Sequence, residues 1–334
     1  MNRISPFITN LVQRLQKVSD VIVLQSQMDE HPASKRTFLA SEPSKSITIK
    51  GNKIEIEDGK SVHSIEGNPL EALRDFRIKH KDWLFGFLGY DLKNSIESLH
   101  SNNRELIEIP DAWFFVPQLL IEIDEVNGKV SVLKGRLPDD LRKTEILEPF
   151  TLELINQIPK KEYIAQIKKA QQFIKEGDFY EINLSHALEY SFKGESWMLF
   201  QKMREINPVP FAAYIARKDF RVCCASPERF LQKKGSKLKS QPIKGTISRS
   251  VENDDEHINQ LLSSEKEKAE NLMIVDLVRN DLSRIAKHGS VKVKDLFEIQ
   301  SFGTVHQMVS TVEAEARNGI EIEDIIKASF PMGS

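Results

Sequence analysis

The chain has 334 residues, enough for one large domain or two ordinary ones with a sizeable core. Its 40% hydrophobic and 29% charged residues are those of a soluble globular protein, and a formal net charge of -2 gives neither the basic excess of a nucleic-acid binder nor an acidic tail. The first stretch, MNRISPFITNLVQRLQ, lacks the apolar run of a signal peptide, and no run approaches the roughly 20 residues of a membrane span. A cytoplasmic protein is expected.

The first third carries short alternating runs: DVIVLQS, then SITIKGNKIEIEDGKSVHSIEG, then LLIEIDEVNGKVSVLKG. Their GN, DG and NG pairs between β-rich segments announce hairpins. WLFGFLGYDL, residues 83–92, mixes aromatics with two glycines and reads as a buried strand with close backbone approach. Prolines and charge between residues 138 and 160 mark a boundary, giving regions 1–150 and 151–334.

A helix follows, with Tyr163, Ile164, Ile167, Ala170, Phe173 and Ile174 at helical spacing and Gly177 at its end. DFYEINLSHALEYSF alternates as a strand and SWMLFQKMREIN reads as a second helix. AAYIAR, FRVCCAS and KLKSQPIKGT read as strands. The adjacent Cys223 and Cys224 are expected as small packed apolar groups rather than a disulfide. SSEKEKAENLMIVDLVRNDLSRIAKHG is the strongest helix, with acids near its start, Lys287 and His288 in its last turn and Gly289 stopping it. VKVKDLFEI and TVHQMVSTVEAEA read as strands, and EIEDIIKASF as a short helix before PMGS. Strands and helices mix without βαβ alternation, which favours an α+β fold.

No GxGxxG, Walker sequence, HExxH or CxxC is present. What stands out is a set of polar residues where apolar ones would be expected. Glu181 and Asn183 alternate on one side of FYEINLS. Glu228 follows an apolar strand in SPERF, and Lys244 sits in PIKGT, pinned by proline and glycine. Glu267 and Glu270 share a helix face, and His306 interrupts TVHQMVSTV. Singly, each has an ordinary reading. Lys244 fits a solvated turn, Glu267 and Glu270 fit dipole-favouring charges, His306 fits a satisfied core histidine, and Glu228 fits a partner of Arg229 or Arg221.

Taken together, ASPERFL, PIKGT, EKAENLMIVDLVRNDLSRIA, VHQMVST and FPMGS, in that order, closely resemble the chorismate-utilising enzymes. The resemblance is strong over residues 160–334 and weaker in the first half, where WLFGFLGYDL is similar to the family's GYxGY region. It implies two packed, mainly antiparallel β-sheets with helices outside, as in anthranilate synthase component I. The lysine of PIKGT is similar to that of the aminodeoxychorismate-forming branch, whereas anthranilate-forming relatives usually carry PIAGT. The implied reaction converts chorismate and ammonia to 4-amino-4-deoxychorismate, towards p-aminobenzoate and folate. The implied partner is a glutamine amidotransferase that supplies ammonia. Anthranilate formation, or chorismate-family binding without catalysis, are the alternatives.

The resemblance also implies roles. Lys244 would attack the ring as a neutral amine, and ammonia would then displace it. Glu228 would be the general acid for the departing 4-hydroxyl, kept protonated by burial. Glu270 would be a ligand of the cofactor Mg²⁺, with Glu267 supporting it from the same face. His306, Gly245 and Thr246 would meet substrate, and Asn183 would match the family's asparagine. Glu181 departs from the usual glutamine of the ammonia-using enzymes; a carboxylate there suits holding ammonium or ammonia near the ring. The family also continues past FPMGS with a second magnesium glutamate and groups that grip the substrate carboxylates. The sequence is expected to end inside its catalytic half, and the chain by itself to be inactive. In some relatives the first half binds tryptophan, and VLQSQMDEHPASKRTFLA lies where such a pocket begins.

Overall fold

The alternating runs of the first third become strands joined by the turns they announce. The computed structural model describes residues 6–25, 35–59, 61–99, 101, 103–139, 149–250 and 252–333. In chain order the first seven strands are β1 (Val21–Gln25), β2 (Arg36–Lys50), β3 (Lys53–Asp58), β4 (Ser61–Glu66), β5 (Phe85–Leu88), β6 (Ala112–Asp124) and β7 (Val130–Lys134). The β2–β3 turn rests on Gly51, whose φ of 58° is left-handed backbone that glycine takes without strain. WLFGFLGYDL forms a strand only over its middle, because a 3₁₀ turn, Tyr90–Ser95, takes over after Leu88. The expected close approach is there: a Cβ on Gly86 would lie 1.9 Å from the Trp113 carbonyl oxygen of β6. Most of the stretch expected to begin a tryptophan pocket, residues 26–34, lies outside the described residues.

Nine further strands follow: β8 (Thr151–Asn156), β9 (Glu189–Lys193), β10 (Phe211–Ala216), β11 (Arg221–Ser226), β12 (Arg229–Lys234), β13 (Lys237–Gln241), β14 (Ile243–Ser248), β15 (Lys292–Ser301) and β16 (Val305–Glu315). Among the described residues the strands form three sheets. The larger has nine strands: a path β11-β10-β1-β2-β3-β4, with β6 also on β2 and flanked by β5 and β7. It therefore takes two strands, β10 and β11, from beyond residue 150. The second has five strands, with β16 between β15 and the β13–β14 edge and β12 outermost; β8 and β9 form a separate pair. The pairings are antiparallel throughout. The α+β expectation holds.

The helices are α1 (Pro6–Leu15), α2 (Pro69–His80), α3 (Lys160–Glu176), α4 (Ser196–Ile206), α5 (Asp254–Ser263), α6 (Glu265–Ser283) and α7 (Ile322–Ser329). Apolar faces of α1 and α4 bury Leu11, Leu15, Trp197 and Phe200 against Val21, Leu39, Leu119 and Tyr214 of the larger sheet. The smaller sheet buries Leu238, Val312 and Ala314 under Ile274, Val278 and Leu282 of α6 and Ile325 of α7. Ile326 of α7 also joins the cluster around Leu70, Phe76 and Ile47, so α7 ties the two halves together. Arg77 adds a polar tie, its Nε donating to Glu323 at 2.9 Å and its Nη2 to Glu321 at 2.7 Å. No helix among the described residues is long and apolar enough to cross a membrane.

KLKSQPIKGT, read as one strand, is two, β13 and β14, parted at Pro242, whose ring leaves no N–H for a ladder. Two further elements differ from the sequence reading. The long helix ends at Ser283, six residues before Gly289. Beyond it Ile285 and Ala286 turn into the core, and the Lys287 N–H bonds the Glu315 carbonyl, which draws the chain onto the end of β16. The run from residue 178 is irregular as far as residue 188, and only Glu189–Lys193 is strand. The β8 partner ends at Asn156, opposite Glu189, so the alternation before it has no ladder to complete.

Candidate active site

The chain crosses from the larger sheet to the smaller one through two residues, Pro227 and Glu228, between β11 and β12. That crossover fixes Glu228. Its Oε1 accepts from the Ile243 N–H at 3.0 Å, and its own N–H donates to Ser226 Oγ at 3.2 Å. Burial pushes the carboxyl above its ordinary range, and the Ile243 bond and the nearby Lys244 charge offset this only in part.

Lys244 lies in a β-bulge. Ile243 pairs with Val309 and Thr246 with Gln307, so β14 spends one more residue than β16 across this interval. A bulge bends the strand and re-aims a side chain. Gly245 makes the bulge possible: its φ is +87°, and a Cβ there would meet Glu267 Cβ at 3.1 Å and Leu261 Cδ1 at 3.2 Å. The Pro-Ile-Lys-Gly-Thr pattern thus does hold the lysine in place. Lys244 Nζ donates to Glu181 Oε1 at 2.8 Å, with the two side chains only 18% and 29% exposed. The other oxygen, Glu181 Oε2, is buried and accepts from nothing among the described residues.

Glu267 lies behind Gly245, on the first turn of α6, whose N-cap Ser264 accepts from the Glu267 N–H at 3.3 Å. Glu270 is one turn on, and Lys266 Nζ reaches each carboxylate at 3.3 Å. Two half-exposed carboxylates one turn apart are hard oxygen donors, and Mg²⁺ is commonly held by one or two such groups with water completing its shell. No cluster of three or more metal-ligating side chains occurs among the described residues.

The remaining expected residues are placed as follows. Thr246 Oγ1 accepts from Gln307 Nε2 at 3.4 Å on the exposed side of β14. Asn183 is exposed on the irregular segment near Glu181. His306 does not face an open cleft. It is fully buried, with Nδ1 at 2.8 Å from Ser301 Oγ and Nε2 at 2.9 Å from Asp254 Oδ1. Asp254 is in turn bound by Arg249 and the Ser250 N–H, and these bonds hold its carboxyl well below the usual range. His306 thereby clasps the start of α5 to the β15–β16 hairpin. Substrate contact by its ring is not what this arrangement offers.

Several polar residues escaped the sequence reading. Asp254 and Ser301 hold His306, and buried Asn271 bonds the Met308 carbonyl and the Ser310 hydroxyl. Asn271 directly follows Glu270 in an otherwise apolar helix face, a signal that was available. The cysteines are free, and burial raises both thiols, that of Cys223 to about 11. They are packing groups, as expected.

The family of chorismate binding enzymes matches residues 20–334, and the chain belongs to it. The chain is 30% identical over 343 residues to aminodeoxychorismate synthase component 1 of Escherichia coli (strain K12), covering 96% of this chain and 76% of that one. It is 31% identical over 331 residues to the enzyme of the same name from Bacillus subtilis (strain 168), covering 86% and 69%. Anthranilate synthase component I from Streptococcus pneumoniae TIGR4 has the same fold, with a TM-score of 0.75 at 24% identity over 91% of this chain and 74% of that one.

Proposed function

We propose that the protein is a cytoplasmic chorismate-aminating enzyme of the aminodeoxychorismate synthase component 1 type, forming 4-amino-4-deoxychorismate for p-aminobenzoate and folate. The observation that carries this reading is Lys244, re-aimed by a bulge, half-buried, held by a carboxylate, and near a second carboxyl, Glu228, that burial pushes above its ordinary range. The relatives named component 1 support it, and the word implies a partner component; a glutamine amidotransferase supplying ammonia fits that place.

Replacing the ring hydroxyl of chorismate needs a proton for the departing oxygen and an amine at the ring. Glu228 supplies the proton. Its raised pKa keeps it in the acid form nearer neutrality than an exposed glutamate. Lys244 supplies the first amine once one of its protons passes to Glu181, the carboxylate 2.8 Å away. Glu270 and Glu267 would hold Mg²⁺, which neutralises substrate carboxylate charge when bound.

The test is Lys244→Ala in the gene product, assayed with Mg²⁺ and an ammonium salt. Amination should fall by about two to four powers of ten, the range for one lost catalytic group with binding kept. An unchanged rate at saturating ammonium removes Lys244 from the chemistry. Anthranilate as the product would move the chain to the other branch of the family.

A further inference from the structure

The smaller sheet carries a cleft of about 810 Å³ at the end remote from the candidate site. Six lysines and two glutamates line it, a surplus of four positive charges on a chain whose net charge is -2. Strand register puts most of them in two rows across one face. Lys234 stands opposite Lys237, and Lys237 opposite Glu315. Lys239 stands opposite Glu313, and Glu313 opposite Lys292. The two rows are two residues apart, roughly 7 Å. Gln307, which pairs with Thr246 close to Lys244, lies six residues back along β16 from Glu313, roughly 20 Å. The cleft is therefore separate from the candidate site, and its chemistry is independent of the amination reading.

Ion pairs inside the cleft leave most of the positive charge unanswered. Lys239 Nζ holds Glu313 at 2.9 Å, and Lys287 Nζ holds Glu315 at 3.0 Å. Those hydrogen bonds first, and the charges of further lysines after them, keep both carboxyls below their ordinary range. Lys234, Lys237, Lys292 and Lys294 form no ion pair among the described residues. Lys234 and Lys237 face each other directly across their hairpin, an arrangement that destabilises a strand pair. Lysines on outermost strands blunt sheet edges, which gives an ordinary reason for Lys234, Lys292 and Lys294. It gives none for Lys237, which stands inside the sheet on β13, or for Lys287, in the loop that lines the cleft. That loop is fixed to β16. The Lys287 N–H donates to the Glu315 carbonyl at 2.7 Å, and the Glu315 N–H donates to Ser290 Oγ at 3.2 Å. Ser290 Oγ in turn donates to the Lys287 carbonyl at 2.8 Å. The wall is preformed.

The volume is that of a small-molecule site. A net-acidic chain with its positive surplus gathered in one cleft does not offer the extended basic stripe that a nucleic acid needs. Lysines present point charges, which suit phosphate oxygens. A phosphate monoester carries about -1.5 to -2 at pH 7, so two or three phosphates answer a surplus of four. Lys237 and Lys292 flank β16, two strand spacings or roughly 10 Å apart. One phosphate does not reach both sides; a chain of phosphates, or a molecule phosphorylated at both ends, does. We propose that the cleft binds a small molecule bearing two or three phosphate groups, gripped by Lys234 and Lys237 on one side of β16 and by Lys292 and Lys294 on the other.

Inorganic tripolyphosphate is the probe, titrated into the protein by calorimetry at fixed ionic strength. Saturable binding of one ion per chain is expected, about tenfold tighter than orthophosphate or better. Lys237→Gln combined with Lys292→Gln keeps both side-chain stems and should weaken binding by about tenfold or more, the loss expected when two charge-assisted contacts go. Lys53→Gln with Lys202→Gln, which removes two lysines elsewhere, should change it by about twofold or less. ATP separates two sources of the same chemistry. An affinity no tighter than that of tripolyphosphate assigns the site to the phosphate chain alone, and a tighter one assigns it to a nucleotide; both support the proposal. Equal weakening by the two double variants would mean an adventitious ion only, drawn by net charge, and overturns the site. Orthophosphate binding as tightly as tripolyphosphate, or no saturable binding below about 1 mM, does the same. Unfolding gives a second readout. Without ligand, the cleft variant should not lose midpoint temperature, because it relieves the repulsion between Lys234 and Lys237. If it does unfold early, Lys234→Gln with Lys294→Gln carries the same test. Tripolyphosphate at about ten times its Kd should raise the parent's midpoint by about 2 °C and leave the variant's unchanged. An equal rise in both overturns the site.

Discussion

The helices α3 and α4 carry comparably regular apolar faces, and the fold treats them in opposite ways. Trp197 and Phe200 of α4 have no exposed surface, closed in by α1 and by Tyr214 of the larger sheet. On α3 only Ala170 is buried, while Phe173 keeps 36% and Ile174 40% of its surface. The neighbouring strands repeat the contrast, with Leu152, Leu154, Tyr190 and Phe192 of β8 and β9 exposed. Periodicity states that a face exists; what packs on it decides its energy. The candidate site spans this divide. Lys244 stands on a sheet backed by a dense core and Glu228 on the short crossover between two such sheets, whereas Glu181 arrives on the irregular segment after α3. The 2.8 Å bond between Lys244 and Glu181 joins a firmly supported residue to a lightly supported one.

The largest effect expected from this contrast is in the dense region. Trp197→Ala removes a fully buried ring that meets Phe200 and Tyr214 at centroid distances of 5.3 and 5.0 Å. It should cost about 3–5 kcal/mol in denaturant unfolding, the range for a large aromatic lost from a close-packed core. A loss below about 1 kcal/mol would break the claim that α4 is sealed.

Asp281 tests an intermediate degree of cover. It lies on α6 beside Phe230, Leu231 and Leu282, and burial raises its carboxyl from 3.8 to about 6, with Arg284 offsetting part of the shift. The folded state therefore binds this proton more tightly than the unfolded chain does. The stability that Asp281 contributes falls as pH rises from 3.8 through about 6. Asp281→Asn does not titrate. Its advantage over the parent should grow across that window and level off above about 6, reaching about 1 kcal/mol after discounting for partial exposure. Unfolding curves at pH 4 and pH 7.5 give the comparison; an advantage that does not change with pH would refute the burial of Asp281.

What could be read in advance follows the same divide. The hairpins, α4, α7 and the strands around PIKGT were legible because turn glycines, alternation and helical spacing are local. Lys244 and Glu228 were legible because their motifs are also structural: the bulge needs Gly245, and the two-residue crossover fixes Glu228. The clasp around His306 was not, because Asp254, on a different element, contacts it only through tertiary packing. The strand expected at 178–188 failed for the same reason, since a strand needs a partner that its own sequence does not name.

The smallest expected effect lies where cover is thinnest. Phe173 of α3 meets Phe179 at 6.1 Å between ring centroids, and Phe179 opens the stretch that leads to Glu181 two residues later. An exposed aromatic pair of this kind is worth about 0.5–1.5 kcal/mol beyond its area, and little area is buried here. Phe173→Ala should therefore lower global stability by no more than about 1 kcal/mol. Its local effect should be clearer. With the ring pair gone, residues 178–188 lose one of the few contacts holding them near β14. Amide hydrogen exchange there should quicken by about fivefold, the equivalent of 1 kcal/mol of opening free energy, while exchange in β10 and β16 stays unchanged. Equal acceleration in the segment and in the two core strands would mean that α3 is part of the global folding unit. The lysine and its carboxylate would then rest on equally firm ground.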